Sequence, residues 1–143
     1  MKRASVAVAV MMTAAVSLSA CGGGNAYCDT VKSGQKSLNS FGQTRTDKAY
    51  QGYSELLRKI ATVAPTTVKS NWTTLSAKTD GVLQAQSSVG LKLENMSDSK
   101  KVGALKPADL KKLNDAYTAF NGTTKERAAV VKNVKQECKI TLK

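Results

Sequence analysis

The chain has 143 residues, 41% apolar, 22% charged and 5% aromatic, with 22 Lys+Arg against 10 Asp+Glu and a formal charge of +12. That length suits one domain. There is no histidine, so the commonest general base and metal ligand is missing, and serine-hydrolase triads, cysteine–histidine pairs and ordinary zinc sites are excluded in their usual forms.

Residues 1–20 read as a secretory signal. Lys2 and Arg3 supply a positive start, and Ala4 to Ala20 is an uncharged run of Ala, Val, Met and small polar residues. At 17 residues and rich in alanine, the run is marginal for a membrane span, which needs about 20 strongly apolar residues, and a signal peptide is the better reading. It ends in Leu18-Ser19-Ala20-Cys21. This resembles the bacterial lipobox, which implies diacylglycerol on the Cys21 thiol and cleavage before it. Ordinary signal cleavage after Ala20 is the competing reading. Gly22-Gly23-Gly24-Asn25 follows as a short tether, so residues 21–26 link a lipid to a domain spanning 27–143. Two or three acyl chains give stable anchoring where one does not.

With Cys21 lipidated, Cys28 and Cys138 remain. Outside the inner membrane such a pair usually oxidises. For a loop of about 100 residues, the chain-entropy model gives roughly 4–5 kcal/mol. Two free buried thiols and an intermolecular bridge are the alternatives.

From residue 27 onward the pattern is helical. A first helix over 27–41 carries Cys28, Val31, Leu38 and Phe41 on a loose stripe, with Asp29 in its first turn, where it suits the dipole. Phe41-Gly42-Gln43-Thr44 closes it. Thr46 is placed to cap a second helix over 47–64, with Ala49, Tyr53, Leu56, Leu57, Ile60 and Ala64 facing inward. Pro65 breaks that helix and suits the first turn of a third over 66–87. There Val68, Trp72, Leu75, Thr79 and Val82 form a heptad-like face.

Residues 88–106 lose the period. Val89, Leu91, Leu93 and Met96 are expected to tuck under a loop, and Ser97 to Lys101 to face solvent. Helicity returns at 107–120 with Leu110, Leu113, Tyr117 and Phe120, and Asn121-Gly122 reads as a stop. Thr123-x-x-Glu126 reads as a capping box opening a last helix, which turns Val130, Val131, Val134 and Cys138 inward. A Cys28–Cys138 bridge requires the start of the first helix to meet the end of the last, hence an even number of passes. Five helical segments are visible, so 107–120 is expected to cross the bundle. The predicted fold is all-α: a four-helix-type bundle with one extra short helix.

The lipobox at Leu18–Cys21, Tyr27-Cys28, Ala64-Pro65, Trp72-x-x-Leu75 and the closing Cys138 together make the chain similar to small lipoproteins of actinobacteria. That resemblance implies an all-helical, disulfide-stapled, membrane-anchored domain. It implies no activity and carries over no catalytic or binding residue.

Candidate chemistry is sparse. Glu94, Asn95, Ser97 and Asp98 offer oxygen ligands for calcium but lack the turn glycine of a calcium loop, so a solvated polar loop is the plainer reading. Lys125, Lys132, Lys135 and Lys139 form a stripe beside the core face of the last helix. It reads either as a solvated face or as a contact for anionic headgroups or anionic wall polymers. Export argues against nucleic acid as a partner. Trp72 reads as a core residue; alternatively Tyr50, Tyr53 and Trp72 line a groove for an apolar ligand. No cofactor and no metal are implied. The expected role is non-enzymatic binding or interaction at the extracytoplasmic face of the cell membrane. The alternative is a carrier of a small apolar or lipid ligand inside the bundle.

Overall fold

A computed structural model describes residues 25–143. Among them there are helices and connecting turns but no strands. The helices are α1 (Ala26–Asn39), α2 (Asp47–Val63), α3 (Thr66–Ser88), α4 (Ser99–Gly103), α5 (Pro107–Asn121) and α6 (Thr124–Cys138), with a single 3₁₀ turn at Leu93–Asn95. Cys21, Lys2, Arg3, the signal and residues 21–24 of the expected tether lie outside the described residues; the last two tether residues belong to α1 instead, Asn25 as its cap and Ala26 as its first residue.

Local chemistry sets most boundaries. The Asn25 side chain accepts from the Tyr27 N–H and starts α1, and Thr46 accepts from the Ala49 N–H and starts α2. Pro65 stands just before the first helical residue of α3, where its missing N–H costs nothing. α1 stops at Asn39, two residues earlier than expected, with Ser40 as its C-cap, and the chain then turns through Gly42 at φ +86°. The left-handed value there favours glycine. Gly34 has a different role. A Cβ at that position would lie 2.6 Å from a Leu56 methyl, so the missing side chain lets α1 and α2 approach closely.

α3 is the spine. Its 23 residues span about 35 Å at 1.5 Å per residue. Its N-terminal half carries Val68, Trp72 and Leu75, which pack with Val130 and Val134 of α6, Leu57 and Ile60 of α2, and Val31 of α1. Its C-terminal half meets α5: Val82 clusters with Tyr50 and Phe120, and Ala85 with Leu91 and Leu113. Leu113, Phe120, Val130 and Val134 therefore follow α3 backwards in order. α5 and α6 form one broken pass antiparallel to α3. α1 packs on α2 and α6, and α2 on α3, which closes a ring of four passes.

This corrects the expected crossing of 107–120. The even number of passes is kept, but α5 achieves it by sharing a pass with α6. The extra short helix is α4, inside the aperiodic stretch. Only Gly122 and Thr123 separate α5 from α6. Gly122 keeps a near-helical φ of −65°, and its N–H donates to the Thr118 carbonyl at 2.9 Å, so the chain bends without fully stopping.

The capping box fails for the same reason. Thr123 has no extended backbone to offer; its hydroxyl donates to the Phe120 carbonyl at 2.7 Å and accepts from Arg127 Nε at 3.1 Å. Leu110, expected on the inner face of α5, is 40% exposed. It lies one turn before Leu113, where α3 has already ended. Leu91 and Leu93 are buried as expected, and Val89 and Met96 pack against the cluster that holds Leu91.

A polar stitch joins α2 to α3. The buried Ser54 hydroxyl donates to the Asp80 carboxylate, Ser76 Oγ donates to the Ser54 carbonyl at 3.2 Å, and Arg58 Nη2 donates to Asp80 at 2.7 Å. Small serines here bring the two backbones close while leaving no hydroxyl unsatisfied.

Cys28 and Cys138 form a disulfide with a Cα–Cα distance of 5.2 Å across a sequence separation of 110. Next to it, the Tyr27 hydroxyl accepts from Trp72 Nε1 at 3.2 Å and donates to Asn133 Oδ1 at 2.9 Å. Burial pushes the Tyr27 hydroxyl above its ordinary pKa, the Trp72 hydrogen bond partly offsets this, and Glu137 adds to the rise. Among the described residues, the disulfide lies beside the main core cluster, to which Cys28 and Cys138 both pack. Replacing both Cys28 and Cys138 with alanine is expected to lower unfolding free energy by about 5 kcal/mol, the chain-entropy value for a loop of this size. Urea titration of both forms followed by far-ultraviolet circular dichroism checks this. An unchanged midpoint would show that the helix contacts alone close the bundle.

Candidate functional site

The lysine stripe is shorter than the sequence suggested. Lys125, Lys132 and Lys135 lie exposed on α6. Lys139 has left the helix: its φ is +57°, and its Nζ donates to the Gln136 carbonyl at 2.7 Å. α6 ends at the disulfide-bonded Cys138, and Lys139 is its left-handed C-cap.

The oxygen-bearing residues at 94–98 are engaged in local structure. Glu94 Oε2 accepts from the Asp47 N–H at 3.1 Å, and Asp47 Oδ1 accepts from the Leu93 N–H at 2.9 Å. Asp98 caps α4 by accepting from the Lys100 and Lys101 N–H groups, and Asn95 Oδ1 accepts from Lys101 Nζ. The reciprocal Asp47–Glu94 contact ties the loop to the start of α2. It was invisible in the sequence because its partners are 47 residues apart.

Hydrogen bonds from its own N–H and from the Asp47 N–H hold the Glu94 carboxyl below its ordinary value of 4.5. A depressed folded-state pKa adds stability that is present above the unfolded value and lost as pH falls through the folded one. Glu94→Gln is therefore expected to lower stability at neutral pH, with the gap to the natural chain closing as the solution is acidified below about 4.5. Urea midpoints across a pH series measure the gap; a gap that widened in acid would contradict the assignment.

The three aromatic residues considered as one groove are divided between two places. Tyr50 joins Phe120, Val82 and Leu93, at the edge of an open groove that Arg45 also lines. Tyr53 and Trp72 border a separate, half-enclosed cavity of about 190 Å³ between α1, α2, α3 and α6. Phe41 lies between the two places, its ring centroid 4.9 Å from that of Tyr50 and 3.6 Å from that of Tyr53.

Leu75 of α3 and Val130 and Val131 of α6 line this cavity with Trp72, and Leu38 and Phe41 approach from the end of α1. Phe41 stacks on Tyr53 with ring centroids 3.6 Å apart. The residues after the disulfide fold across one side. Leu142 joins the main core, Gln35 Nε2 donates to the Thr141 carbonyl at 3.2 Å, and the Lys143 N–H donates to Asn39 Oδ1 at 2.9 Å.

The polar residues lining the cavity are Asn39, Tyr53, Arg127 and Lys143, so both of its charged side chains are cationic. Arg127 reaches it from the first turns of α6, its guanidinium carbon 4.6 Å above the Phe120 ring, with Nε bonded to Thr123 and Nη2 donating to the Phe120 carbonyl at 3.3 Å. Among the described residues Arg127 forms no ion pair; the ion pairs there are Arg58–Asp80, Lys101–Asp98 and Lys111–Asp115. Burial pushes the Tyr53 hydroxyl up to about 12, against a smaller lowering by Arg127 and a further rise from Tyr50. No acidic side chain lines the cavity. The sequence marked Trp72 and Tyr53 but not Arg127, which is one cation among 22 Lys+Arg.

Comparison with family models, with curated proteins and with solved structures finds no match to the chain.

Proposed function

We propose that this chain is a lipid-anchored protein of the cell envelope with a non-enzymatic binding role, held at the extracytoplasmic face of the membrane by diacylglycerol on Cys21. The observation that carries this reading is cysteine pairing. The chain has three cysteines, and the structure joins Cys28 to Cys138. Such a bridge suits an oxidising compartment. It leaves Cys21 without a cysteine partner in the chain, at the lipobox position of Leu18-Ser19-Ala20-Cys21. The similarity to small actinobacterial lipoproteins supports the same reading. No described helix is long and apolar enough to cross a membrane.

The exposed lysines of α6 fit this placement as a diffuse attraction to anionic headgroups or wall polymers, at about 1 kcal/mol for each lysine near the surface. The second reading, a carrier of a small apolar or lipid ligand, is favoured by one observation, the cavity beside Tyr53 and Trp72.

Cys21→Ser in the full chain tests the anchor. The substitution is expected to abolish incorporation of a fatty-acid analogue and to shift the protein from the membrane fraction to precursor or released forms. Undiminished label in the variant would overturn the reading.

A further inference from the structure

The cavity between α1, α2, α3 and α6 has the composition of a small amphiphile's site. Its floor and far wall are apolar, from Trp72, Leu75, Val130 and Val131. Arg127 stands at the same cavity with no ion-pair partner among the described residues, and no acidic side chain is present to neutralise a cation there. A half-buried guanidinium in that setting favours an anion, and its planar fork matches a carboxylate's two oxygens.

Arg127 is also held in place. Its Nε is fixed by the Thr123 hydroxyl and its plane rests over Phe120. Little side-chain freedom remains to be lost when an anion binds, which favours affinity. The volume sets the size of the apolar body. The cavity measures about 190 Å³. An apolar cavity of roughly 150 Å³ accepts benzene, so a body of about six to eight carbons fits here.

We propose that this cavity binds a short-chain or single-ring apolar monocarboxylic acid, its carboxylate on Arg127 and its hydrocarbon body against Trp72, Leu75 and Val130. This deepens the carrier reading and rests on it, and is independent of the lipid anchor. Neutral lipids of the same body lack the group that Arg127 recognises. Long-chain lipids exceed the volume.

Trp72 is the only tryptophan in the chain, so its fluorescence reports on the cavity directly. The test titrates the full chain with octanoate below its micellar range and separately with octanol. Octanoate is expected to give a saturable change in Trp72 emission and to bind at least tenfold more tightly than octanol. Arg127→Gln is expected to bring octanoate down to the level of octanol and leave octanol unchanged.

Val131→Phe, which fills the cavity and keeps the cation, is expected to weaken both ligands at least tenfold. It stands in for Arg127→Gln if losing the Thr123 and Phe120 contacts unfolds the chain. Equal binding of octanoate and octanol, octanoate binding that survives either substitution, or no saturable change at all would each overturn the proposal. None of these outcomes bears on Cys21, whose acylation is read by labelling of the full chain.

Discussion

The beginning of α1 and the end of α6 are tied together twice at one point, and the rest of the bundle conforms to that tie. Cys28 joins Cys138 covalently. The neighbouring Tyr27 hydroxyl bridges Trp72 of α3 and Asn133 of α6. A chain constrained in this way must return to its starting end, so its passes must be even in number. The sequence supplies too many helical segments for that. The structure resolves the excess by running α5 and α6 as one bent pass beside the long α3. The bend at Gly122–Thr123 is a consequence of this arrangement, and so is the place where Arg127 enters the interior: it is fixed by Thr123 and Phe120, the residues on either side of the bend.

Legibility in the sequence followed the range of the interaction. Local signals were sound. Thr46 caps α2, Pro65 separates α2 from α3, Pro107 opens α5, and the Val68–Trp72–Leu75–Val82 face of α3 is buried. Where a distant partner decided the outcome, local signals misled. Thr123-x-x-Glu126 has the right spacing for a capping box, but packing on α3 keeps the chain nearly helical there and redirects the Thr123 hydroxyl. Lys139 continues the stripe in a helical projection, yet the chain leaves the helix at the disulfide. Tyr27 was legible only as the neighbour of a cysteine, because both of its partners lie far along the chain, 45 and 106 residues away.

The candidate site shows the same limit. Trp72 and Tyr53 stood out as rare aromatic residues in a chain that is only 5% aromatic. Arg127 did not, since nothing in a lysine-rich sequence distinguishes the one cation that lies over a phenyl ring and beside an apolar cavity. The role proposed for it depends on the break between α5 and α6 and on a cavity lining without acidic side chains, both tertiary facts. The proposed anchor is the opposite case. Leu18-Ser19-Ala20-Cys21 is a contiguous motif, and the structure supports it indirectly by pairing the other two cysteines with each other.

Disulfide mapping by mass spectrometry on the chain recovered from its own membranes tests this account most directly, because its fold and its proposed anchor both depend on which cysteine pairs with which. Digestion under non-reducing conditions is expected to yield one cross-linked species joining the peptides of Cys28 and Cys138. It should also yield an N-terminal peptide that begins at Cys21 and carries acyl mass. Cys21 cross-linked to either of the others would contradict the proposed attachment, and free thiols at Cys28 and Cys138 would contradict the covalent tie on which this account of the fold rests.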